Sequence, residues 1–69
     1  MTTEQKDLIY SVFVTHFIWM DAQDVENLYL HLEEFLLQDI EETADADFTN
    51  GDVCIAIRRA LFKKLGIEA

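Results

Sequence analysis

The residues able to do chemistry in this chain are few, and most can be named at once: one serine, Ser11, one cysteine, Cys54, two histidines, His16 and His31, and an acidic segment, DADFTNGD, around Asp45 and Asp47. In that segment Asp45, Asp47 and Asn50 are oxygen ligands near a glycine, as in a calcium loop. Counted from Asp45, however, the turn glycine falls on Asn50 and the bidentate glutamate on Ala56, so the register of such a loop fails. His31 and Glu34 share a helix face, but the residue three before His31 is Leu28, which breaks the Glu-x-x-His spacing of a di-metal bundle. Ser11 has no glycine-rich turn beside it to form an oxyanion site. Cys54 falls on an apolar helical arc, where a thiol is ordinary packing. The residues therefore point to no enzyme, no metal and no cofactor.

Charge is the stronger signal. Fourteen acidic residues against five basic ones give a net charge of −9, and residues 21–52 hold eleven of the acids with no base. Arg58, Arg59, Lys63 and Lys64 then gather four of the five bases in seven positions. Such a field repels nucleic acid and anionic lipid and steers the chain toward basic surfaces. Reading RRALFKK as the recognition element of a helix-turn-helix meets two obstacles. The preceding loop is longer than that motif uses, and an acidic helix would lie against the phosphates.

These residues must be positioned by helices. At 69 residues the chain is one domain, and no disulfide or zinc cluster is available to staple it. The spacing predicts an all-α fold of three helices over about 3–20, 22–42 and 50–65. Thr2 with Gln5, and Thr49 with Asp52, have the form of capping boxes, and Gly66 suits the end of the third helix. The apolar run from Leu8 to Met20 is bracketed by Asp7 and Asp21 and is too short to span a bilayer. It also lacks the flanks of a signal peptide. A cytoplasmic protein is the expectation.

In the second helix Val25, Leu28, Tyr29, Leu32, Phe35, Leu36 and Ile40 form the main apolar arc. Leu30 and Leu37 fall outside it among Glu26, Glu33, Glu34 and Glu41, forming a narrower acidic-bordered seam that is the expected partner-binding face. The first helix is apolar round about two-thirds of its circumference. Phe13, Phe17, Trp19 and Met20 are accordingly assigned to the core or to the interface of a symmetric homodimer. On the third helix the arc is drawn through Val53, Cys54, Ile55, Ile57, Leu61, Phe62 and Leu65, with Arg59 and Lys63 pointing away. Arg58 lies inside that arc as Asp39 lies inside the second, and an Asp39–Arg58 ion pair would satisfy both.

With its apolar YSVFVTHFIWM and acidic LEEFLLQDIEE segments, the chain resembles the short helical accessory proteins encoded in early regions of temperate phages. The resemblance implies a regulatory role exerted on a host or phage protein through protein contacts, and it assigns no binding residue. The expected function is thus a small acidic protein-interaction protein that modulates or inhibits a larger one. The alternatives are a DNA or RNA mimic occupying a basic channel, and a DNA-binding regulator using the third helix.

Overall fold

The computed structural model describes residues 2–43 and 47–67. Three helices, α1 (Thr3–His16), α2 (Ala22–Thr43) and α3 (Asn50–Leu65), pack around one core with no strand among the described residues. The helix starts are local in origin. The Thr2 hydroxyl accepts from the Gln5 N–H at 3.1 Å while the Gln5 side chain accepts from the Thr2 N–H at 2.8 Å. Thr49 and Asp52 repeat the arrangement on α3. Each box satisfies donors that a helix start otherwise leaves open. At the far end of α3, Gly66 takes φ 68° and donates to the Phe62 carbonyl at 2.9 Å. That left-handed conformation is one a side chain would strain.

The first helix ends four residues before the position expected. The Phe17 N–H is shared between the Phe13 and Val14 carbonyls at 3.2 Å each, and the Met20 N–H bonds back to the Phe17 carbonyl at 3.0 Å. This tightens the chain into a corner over 17–20. No glycine or proline announces the corner. It forms because α2 must return along the core, and only Phe17 and Met20 of that segment then pack inward, leaving Ile18 and Trp19 in solvent.

The core is centred on Phe13, which is fully buried, with its ring centroid 4.8 Å from Phe17 and 5.2 Å from Tyr29. Val25, Tyr29, Leu32, Leu36 and Ile40 of α2 are buried, with Leu28 and Phe35 at the edge, as the arc predicts. The arc of α3 is different. Val53, Ala56, Ile57, Ala60 and Leu61 face the core, a clean i, i+3, i+4, i+7, i+8 repeat. Cys54 is only half-buried, and Ile55, Phe62 and Leu65 are exposed. The two alanines carry little hydrophobic signal, yet their small side chains let α3 approach its neighbours closely, and they decide the rotation of the helix.

That rotation also corrects the ion pair. Asp39 is bonded by Arg59 at 2.8 Å, while Arg58 is exposed. Neighbouring helical residues point about 100° apart, so turning the arc onto the alanines brings Arg59 to the α2 side.

Candidate functional site

The expected partner face of α2 is only partly present. Leu30 is 64% exposed, but Leu37 packs against the core. Glu26 and Glu34 are exposed beside Leu30, and Glu41 is exposed about three turns further along α2. Glu33 is half-buried and accepts from the Tyr29 hydroxyl. Burial pushes the Tyr29 phenol well above its ordinary titration range, and the hydrogen bond and charge of Glu33 push it further.

Of the four residues assigned to core or dimer contact, Phe13 and Phe17 are consumed inside the chain and Met20 packs at the core's edge. Trp19 is the exception at 77% exposure, and Ile18 beside it is 78% exposed. Two large apolar side chains thus project from one corner. Next to them a cavity of about 390 Å³ opens between the corner and the end of α3, walled by Trp19, Met20, Leu28, Leu65 and Ile67. His16 is the one polar side chain in its lining. Its ring stands against Phe17 at 4.9 Å between centroids. Sequence reading missed this site because Leu65 and Ile67 lie more than forty positions from Trp19, and only the return of α3 brings them together.

A second groove, about 380 Å³, runs between α1 and α3 and gathers Ser11, His16 and Cys54 with Leu8, Val12 and Asn50. Among the described residues no hydrogen bond joins Ser11, His16 and Cys54 into a nucleophile–base pair. The Thr15 hydroxyl instead donates to the Ser11 carbonyl at 2.9 Å, a local helix bond. No group of three His, Cys, Asp or Glu side chains among the described residues is placed to hold a metal ion. Asp45 lies outside the described residues, Asp47 is in an exposed turn, and Asn50 opens α3. No described helix is long and apolar enough to cross a membrane.

No family model, curated protein or solved structure matches this chain.

Proposed function

We propose that this chain is a non-catalytic protein-binding domain, acting in the cytoplasm, that regulates or inhibits a larger protein by docking its α1–α2 corner. The observation that carries this reading is the exposure of Ile18 and Trp19, 78% and 77%, beside the apolar cavity edged by Leu65 and Ile67. An exposed tryptophan next to an apolar cavity offers the large apolar contact area that dominates binding energy in protein interfaces. The partner's complement is an apolar side chain for the cavity, set in a basic surround, since the net charge of −9 favours approach to positive surfaces.

The experiment is affinity capture from a host lysate with the wild-type chain, Trp19→Ala and Leu30→Glu, all checked for equal thermal stability. A partner retained by wild type and Leu30→Glu and lost with Trp19→Ala supports docking at the corner. Equal recovery with Trp19→Ala rejects it.

A nucleic-acid mimic is the second reading, favoured by the exposed Glu26, Glu34 and Glu41 on one side of α2. Under mimicry capture falls steeply between low and moderate salt and is indifferent to Trp19, because screening acts on separated surface charges far more than on apolar contact.

A further inference from the structure

The exposed side of α3 is unlike the rest of the molecule. Ile55 and Phe62 are 48% and 55% exposed and share one stripe, with the exposed Arg58 beside it. Residues 50–67 carry four bases against Asp52, a charge of +3, whereas residues 1–49 carry twelve acids against Lys6, a charge of −11. The complementary surface lies on α2. There Leu30 projects between the exposed Glu26 and Glu34, with Leu37 half-buried one heptad on. Ile55 and Phe62 are likewise one heptad apart. One chain thus carries both halves of a helix-on-helix contact, an apolar α3 stripe beside the exposed Arg58 and, on α2, the exposed Leu30 between two carboxylates, opposite in charge.

It cannot join its own two halves. Asp39 marks the side of α2 that faces α3, through its bond to Arg59. Leu30 is nine positions from Asp39, half a turn round the helix at about 100° per residue, so it points directly away from α3. The α3 stripe is only about 40–60° round from Arg59 by the same count. The two stripes therefore lie on different sides of the bundle, and a twofold pair could not bring both into contact at once.

From this we infer that the α3 stripe binds the Leu30 face of α2 on a second copy, and that copies associate head to tail instead of as the symmetric dimer expected from sequence. The contact does not involve the Trp19 corner, so it stands or falls separately from the docking proposed there. Repulsion between whole molecules of charge −9 is screened beyond about 10 Å at 0.1 M salt, while opposed charges in contact are not.

The test uses Phe62→Glu, which blocks the α3 stripe, and Leu30→Glu, which blocks the α2 face. Both positions are exposed, and circular dichroism melting confirms folding; Ile55→Glu serves as a second α3 variant. Sedimentation of the wild type should show mass rising with concentration past two chains or closing into a ring. Each variant alone should self-associate about thirtyfold more weakly, the loss expected of a central anchor. Mixed, the two variants should form a 1:1 complex and nothing larger, because each keeps the half the other lacks. A wild type of one-chain mass at every concentration overturns the inference. So does a dimer unaffected by either variant, or a mixture that stays dissociated.

Discussion

Arg59 donates from Nε to the Asp39 carboxylate at 2.8 Å and from its terminal nitrogen to the Thr43 hydroxyl at 3.2 Å, tying α3 to the last turn of α2. The Thr43 hydroxyl in turn donates to the Asp39 carbonyl at 2.7 Å. These bonds link the two helices on either side of the acidic loop.

The arginine side chain is 42% exposed and the aspartate 12%, so water screens the pair from the guanidinium side. A double-mutant cycle of Arg59→Ala and Asp39→Ala should give a coupling of about 0.5–1 kcal/mol by urea unfolding. Arg58→Ala should change stability by less than about 0.5 kcal/mol in dilute solution. A larger effect at Arg58 than at Arg59 would contradict the observed pairing.

The rotation of α3 is open to an equally direct test. Ala60 is fully buried, so Ala60→Leu should overpack the core and destabilise by about 1–3 kcal/mol, a fall in Tm of several degrees for a domain of this size. Ile55→Ala, on the exposed stripe, should be within about 0.5 kcal/mol of wild type. Phe13→Ala empties the centre of the core and should cost about 3–5 kcal/mol, enough to unfold a small domain in dilute solution.

Tyr29 sets an alkaline limit. Its phenol is buried and bonded to Glu33, so in the folded state it stays protonated well above the unfolded value of about 10. Above that value the unfolded chain loses a proton that the folded chain keeps, and stability falls as pH rises. Below it, the contribution is fully present. The slope should approach about 1.4 kcal/mol per pH unit for one proton. Urea midpoints measured from pH 9 to 12 should fall more steeply for wild type than for Tyr29→Phe; parallel curves would refute the assignment.

Trp19 is the only tryptophan, so its fluorescence reports the corner without ambiguity. At 77% exposure its emission should resemble that of an indole in water and be readily quenched by acrylamide. Self-association through α2 and α3 should leave that emission unchanged, whereas docking of a partner at the corner should shift it to the blue and protect it. A blue shift on concentration alone would move the self-contact to the corner.

How much of this was legible in the residues depends on how far each signal reaches along the chain. Both capping boxes, Thr2 with Gln5 and Thr49 with Asp52, and the left-handed Gly66 are decided within a few residues by backbone donors and acceptors that need local partners. The number of helices and the ends of α3 could therefore be read directly, as could the buried arc of α2, where large side chains repeat strongly at helical spacing. The corner at 17–20 could not, because Ile18 and Trp19 are as apolar as the core residues before them and no breaker marks the turn.

The amino-acid order by itself determined three helices, their caps, and a charge split between an acidic body and a basic C-terminal helix. Tertiary packing alone decided which side of α3 is inside, that Arg59 and not Arg58 meets Asp39, and that Trp19 shares a cavity with Leu65 and Ile67. The physical reason is the same in each case. A helix can present an alanine-lined side or an isoleucine-lined side at little local cost, and the choice is made by which shape lets neighbouring helices close on one another without a void.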